Sequence, residues 1–192
     1  MMTHTSSASE LGLWRFAVQQ YHDMIAKGVL SNEDNVELLE GWLVAKMSKN
    51  PPHSVANALT RAYFENLGLS SCYVRSQEPI TLTDSEPEPD VAVVRGGLRD
   101  YAVHHPNAND VLLVAEISDS TLERDRTWKQ GIYAKADIGM YWIVNLPAQQ
   151  LEVYSLPVNG AYTVSEVFSS VQTAKFSLAD NLFTVLVQDL LP

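Results

Sequence analysis

Apolar residues recur at Val18, Tyr21, Met24 and Ile25, the spacing of one helix face. This predicts a helix over 18–27, with Gly28 where a C-terminal cap belongs. Residues 31–35 are polar and turn-like, and 36–47 predict a strand pair folded at Glu40-Gly41. Asn50-Pro51-Pro52 predicts a break, followed by a helix over 54–67. Val55, Leu59, Ala62, Tyr63 and Leu67 form its expected inner side, and Gly68 ends it. Short strands are predicted over 72–77 and 80–82, and an acidic, proline-rich loop over 83–89. Residues 91–94 are wholly apolar, and 111–117 are apolar enough for a central strand buried on both faces. A helix over 125–136 with Asp125 as N-cap follows, then a buried strand over 140–144. Residues 151–154, 162–167 and 173–176 predict a terminal antiparallel meander, while 182–191 fit strand or helix equally. Mixed helices and strands imply an α/β (α+β) fold with a mixed central sheet flanked by helices.

Composition narrows this. At 192 residues and 46% hydrophobic, the chain suits one domain over 13–192 behind a loose polar tail at 1–12. Cys72 is the one cysteine, which excludes an intrachain disulfide and a cysteine-rich zinc site. It reads as a buried core thiol. No segment approaches the about 20 apolar residues of a membrane span, and no apolar leader opens the chain. A cytoplasmic protein without a membrane partner is expected. The formal charge of −10 argues against holding nucleic acid by bulk electrostatics. It leaves room for an enzyme that meets phosphate through a metal and a local basic patch.

Asp90 opens one apolar strand, and Glu116 sits near the end of another within Val-Leu-Leu-Val-Ala-Glu-Ile. An ionised carboxylate there is costly unless paired, well hydrogen-bonded or metal-bound. The bland alternative for Glu116 is a strand end open to water. Arg126, Lys129 and Tyr133 share the expected face of the next helix. Two carboxylates on neighbouring strands make a hard-oxygen site suited to Mg²⁺. Such a site polarises a phosphoryl oxygen and lowers the pKa of a bound water, and a nearby lysine steadies developing charge.

Pro89-Asp90, Glu116-x-Ser118 and Asp125-Arg126-x-x-Lys129 together resemble the PD-(D/E)XK nuclease superfamily. The nearer resemblance is to the Uma-type family of restriction-endonuclease-like proteins. Tyr21-His22-Asp23-Met24-Ile25, Val36-Glu37-Leu38-Leu39-Glu40-Gly41, Pro51-Pro52-His53 and Tyr141-Trp142-Ile143-Val144 are also similar to family segments. The chain departs from the basic superfamily pattern, because Ser118 stands where a lysine is expected. In the Uma-type family a lysine on the following helix replaces it, here Lys129. The resemblance implies a restriction-endonuclease-like core, with Asp90 and Glu116 holding Mg²⁺ (or Mn²⁺) and Lys129 beside the scissile phosphate.

Glu37, His53, Gln77, Ser118, Arg126 and Tyr133 are auxiliary candidates, each with an ordinary structural alternative. Glu37 is preferred to Glu40, which precedes a turn glycine. His53 could be a base or phosphate contact, or simply cap a helix start. The His104-His105 pair and the acidic run 84–88 read as surface. No phosphate-binding glycine loop, dinucleotide fingerprint or nucleophile elbow is present. The expected function is metal-dependent hydrolysis of phosphodiesters, with DNA as partner; the sequence does not fix the assembly, and a two-fold homodimer is one that nucleases cutting both strands often adopt. The alternative is a non-catalytic member of the same fold, a nucleic-acid-linked or protein-interaction module, which the negative charge favours.

Overall fold

The structure, a computed structural model, describes residues 12–31 and 33–192. The expected loose tail lies outside the described residues, apart from Gly12. Helix α1 (Val18–Ala26) ends as predicted, with Gly28 left-handed at φ +70°. Strands β1 (Val36–Leu39) and β2 (Trp42–Ala45) pair antiparallel around Glu40 and Gly41, both at positive φ. That is the mirror-image turn whose twist suits a two-residue hairpin. Gly41 is required on a second count, since a Cβ there would lie 2.7 Å from the Arg15 Cβ.

Helix α2 (Pro51–Asn66) corrects two expectations. The prolines begin the helix rather than break the chain: they fill its first turn, where no amide partner is needed. The Asn50 side chain caps it by accepting from the His53 amide at 3.0 Å. The inner face is also offset from the predicted one. Ala56, Thr60 and Phe64 are buried, whereas Val55 stays 46% exposed. Phe64 decides this phase by packing on Trp142, with ring centroids 5.1 Å apart.

Strands β3 (Cys72–Arg75), β4 (Val91–Arg95) and β5 (Val111–Ser118) follow. The expected strand over 80–82 is not one. Ile80 and Leu82 are buried, but their segment makes a single bridge, Thr81 to Asn107. Nor is the acidic run 84–88 a solvated loop. Glu86 is buried against His22 and Thr81, and Glu88 pairs with Lys46. Cys72 is half-buried at the margin of the core.

The next helix starts earlier than predicted. It runs as α3 (Leu122–Arg124), opens into a π-helical turn at Asp125–Lys129, and closes as α4 (Gln130–Lys135). Asp125 is therefore no N-cap. Its carboxylate is buried and accepts from the hydroxyls of Ser118 and Thr121 at 2.7 and 2.5 Å.

Strands β6 (Met140–Asn145), β7 (Gln150–Val158) and β8 (Ala161–Ser169) complete a six-stranded sheet ordered β3-β4-β5-β6-β7-β8. Only β5 and β6 run parallel. Strands β9 (Thr173–Leu178) and β10 (Asn181–Leu186) form a separate hairpin, so the terminal antiparallel strands divide between two sheets. The mixed α/β class with helices flanking a mixed sheet stands as expected.

Two cores lie on opposite faces of the sheet. Phe64, Trp142 and Phe176 centre one, beneath α2 and the last hairpin. Tyr133, Tyr141 and Ile143 centre the other, beneath the π-interrupted helix. No helix among the described residues is long and apolar enough to cross a membrane.

Candidate active site

Strand register makes the site. Val91 pairs with Ala115 across the antiparallel β4–β5 ladder, so the next position sets Asp90 beside Glu116 on the same face. Opposite residues in such a ladder point to one side, the side covered by the π-turn. Lys129 leaves that turn and places its Nζ 3.0 Å from Glu116 Oε1 and 3.3 Å from Glu37 Oε2. Tyr133, one turn on, donates its hydroxyl to the same Glu116 oxygen at 2.7 Å. Asp90 Oδ2 accepts from the Ile117 amide at 2.9 Å and contacts His53 Nε2 at 3.1 Å. Gln77 Nε2 donates to Asp90 Oδ1 at 3.3 Å. A π-turn within a helix is a recurrent mark of functional positions, and this one carries two buried charged residues, Asp125 and Lys129.

Burial dominates the electrostatics. It pushes the Glu116 carboxyl up to about 8; Lys129 pulls it down, but Asp90, Asp125 and Glu37 push with the burial. Burial pulls the Lys129 pKa down, yet Glu116, Glu37 and Asp125 outweigh it and hold it above the ordinary lysine value. The burial that raises Glu116 is thus opposed by the same ion pair that keeps Lys129 charged. Both hydrogen bonds to Glu116 fall on Oε1, which leaves Oε2 for a proton or a cation. Asp90 differs. Burial works against its anion, but His53, the Ile117 amide and Lys129 outweigh it and hold its pKa below the usual value. Burial, and after it Glu116, pushes the Tyr133 hydroxyl far up, so it stays a donor.

Asp90, Glu116, Lys129, Glu37, His53 and Gln77 line one cavity. Ser118 and Tyr133 stand behind it, the first holding Asp125 and the second holding Glu116. Arg126 does not join them. The wider π-turn separates positions three apart, and Arg126 turns to Glu152 on β7 in a two-pronged pair at 2.9 and 2.6 Å. Glu40 also lies elsewhere, held by Trp128 and Lys135.

Sequence reasoning missed Asp125 as a buried acid and named no residue for the expected basic patch. Lys46, Lys49 and Arg124 line the same cavity as the acids, a local group of basic side chains in a chain of charge −10. Lys46 and Lys49, just before the Asn50-Pro51 helix start, were the visible signal.

Two acids on adjacent strands, a lysine from the following helix and a mixed sheet define the restriction-endonuclease-like class. Residues 18–183 match the Uma2 family, described as "Putative restriction endonuclease", and the chain belongs to that family. The fold is similar to the crystal structure of "a putative nuclease belonging to DUF820" from Anabaena variabilis ATCC 29413. The TM-score is 0.69 at 16% identity, over 91% of this chain and 97% of that one. No curated protein matches the chain.

Proposed function

We propose that the protein is a divalent-metal-dependent endonuclease that hydrolyses phosphodiester bonds, with DNA as substrate. The observation that carries this is the side-by-side burial of Asp90 and Glu116, with Lys129 held between Glu116 and Glu37. Membership of the Uma2 family supports the same reading.

The donor set fits a hard cation. Four carboxylates, Glu37, Asp90, Glu116 and Asp125, line the cavity with one buried ammonium, and burial, with the neighbouring acids behind it, pushes the Glu116 carboxyl up to about 8. Among the described residues no three acidic, imidazole or thiol groups converge at metal-ligand spacing. Asp90 and Glu116 would therefore hold Mg²⁺ (or Mn²⁺) with water and substrate oxygens completing the shell, as Mg²⁺ prefers. When bound, the ion supplies a polarised phosphoryl oxygen and a water of lowered pKa. Lys129 faces the same cavity and steadies negative charge that develops on the phosphoryl group. His53 and Gln77 hold the Asp90 carboxylate in place, and Tyr133 does so for Glu116. A two-fold homodimer would present two such sites to the two strands of a duplex.

The test is plasmid cleavage with Mg²⁺, Mn²⁺ or EDTA. Nicking or cleavage is expected with either metal, none in EDTA, and none from Glu116→Gln. Cleavage that persists in EDTA, or in Glu116→Gln, sinks the mechanism.

A further inference from the structure

Arg124 ends α3 on the segment that leaves β5, and it lines the same cavity as Asp90 and Glu116. A guanidinium carries several N–H donors in a rigid fork that matches phosphate. Among the described residues the fork is nearly unspent. Nη1 makes one long hydrogen bond, 3.3 Å, to the Ala45 carbonyl oxygen. Nε is buried and has no hydrogen-bond partner among the described residues. A buried donor on a charged group is costly to leave unpaired, and each such case calls for an acceptor.

The acids around the cavity do not supply one. Glu37 and Glu116 are held by Lys129, and Asp90 by His53 and the Ile117 amide. Asp125 is held by Ser118 and Thr121, and Glu88 by Lys46. Asp119, close to Arg124 in the chain, accepts instead from Asn50. That last bond ties the segment after β5 to the one before α2, where exposed Lys49 also lines the mouth.

We propose that Arg124, with Lys49 on the adjoining lip, forms an anion site that takes a backbone phosphate next to the bond that is cut. This deepens the endonuclease reading and rests on it for the identity of the phosphate. Arg124 is thereby a positioning residue: it fixes the strand so that one phosphodiester lies over Asp90 and Glu116. Its spare donors make the fork–phosphate contact that a lysine cannot reproduce.

The test uses the full chain in EDTA, with inorganic phosphate as the first probe and labelled DNA oligonucleotides, single-stranded and duplex, as the second. Wild type binds phosphate, and Arg124→Gln weakens it at least about fivefold. Arg124→Lys falls between them, and Lys175→Gln, on the distant β9, matches wild type. For DNA, Arg124→Gln lowers the slope of log affinity against log salt by about one, the signature of one lost phosphate contact. Equal phosphate affinity and an equal salt slope in wild type and Arg124→Gln, with both folded by thermal melt, overturn the proposal. Arg124-dependent phosphate binding without cleavage of any nucleic acid in Mg²⁺ or Mn²⁺ upholds the anion site and removes the endonuclease reading. Cleavage by Arg124→Gln at wild-type KM does the reverse.

Discussion

The backbone amide of Ile117 donates to the Asp90 carboxylate at 2.9 Å. The residue that follows Glu116 on β5 thus anchors the acid on β4, and the two carboxylates are fixed to each other by strand backbone. A slip of one residue in the β4–β5 register would send Glu116 to the opposite face, into the Trp142 core. Burying that carboxylate unpaired among apolar side chains would be costly, and this opposes the slip and holds the acids together.

Metal should stabilise the fold through this pair. With free Mg²⁺ or Mn²⁺ at about a hundred times its dissociation constant, linkage gives roughly 2.7 kcal/mol. For a chain of this size that corresponds to a rise in Tm of roughly 5–10 °C. Asp90→Asn should lose most of the rise. Thermal melts with and without metal decide it, and an unchanged shift in Asp90→Asn places the ion elsewhere.

Without metal, stability should depend on pH in a direction set by Glu116. Its folded pKa, about 8, lies above the ordinary carboxylate value, because burial disfavours the anion. A raised folded pKa means that the folded state holds a proton the unfolded chain has released. Stability is then fully present below the unfolded pKa and is lost as pH rises towards 8. The slope cannot exceed about 1.4 kcal/mol per pH unit for one proton. Asp90, whose folded pKa is lowered, acts oppositely, and its contribution fades on strong acidification. Urea unfolding at pH 5, 7 and 9 in EDTA should show the decline, and Glu116→Gln should flatten it. A decline of equal size in Glu116→Gln assigns the proton to another group.

What the sequence revealed and what it hid divide along physical lines. Glu116 and Asp90 were legible because a charge inside an apolar strand has few explanations. The hairpin at Glu40-Gly41 was legible because turn chemistry is local. The phase of α2 was not: Val55 and Leu59 are as apolar as the buried positions, and the fit of Phe64 onto Trp142 chose between faces. The π-turn left no mark in periodicity either, so Asp125 looked like a cap and Arg126 like a neighbour of Lys129. Glu37 could be named but not placed. Its ties to Lys129 and the Glu88 amide, 51 residues away, form only in the folded chain.

Lys129→Met should damage stability as well as rate. Its ammonium is buried between two carboxylates, and removing one member of a buried charge set costs about 3–5 kcal/mol. The loss should be largest at high pH, where Glu116 ionises without a partner. Saturating Mg²⁺ should recover part of it, since a cation between the acids replaces the missing positive charge. Melts of Lys129→Met across pH and metal concentration provide the measurement. A variant as stable as wild type in EDTA at pH 9 contradicts the buried-charge account.

Arg126 should tune the site from outside it. Its fork grips Glu152, which is buried and also accepts from Asn145 and Tyr154 at 2.8 Å each. Glu152 pairs with Ile143, and Ile143 with Glu116, so the two acids share one row on one face of the sheet. The π-turn crosses that row with Arg126 over Glu152 and Lys129 over Glu116. The first contact therefore sets the rotation of the turn, and with it the reach of the lysine. The Arg126 side chain is 41% exposed, so its loss should cost only roughly 1–2 kcal/mol of stability. Arg126→Gln should nonetheless slow cleavage by about tenfold while leaving KM and the metal-induced rise in Tm unchanged. Arg126→Lys should rescue little, because an ammonium cannot make the two-pronged contact. A merely structural role would lower Tm without moving kcat in the folded protein, and kcat at wild-type level in Arg126→Gln would show that the turn holds its rotation without the fork.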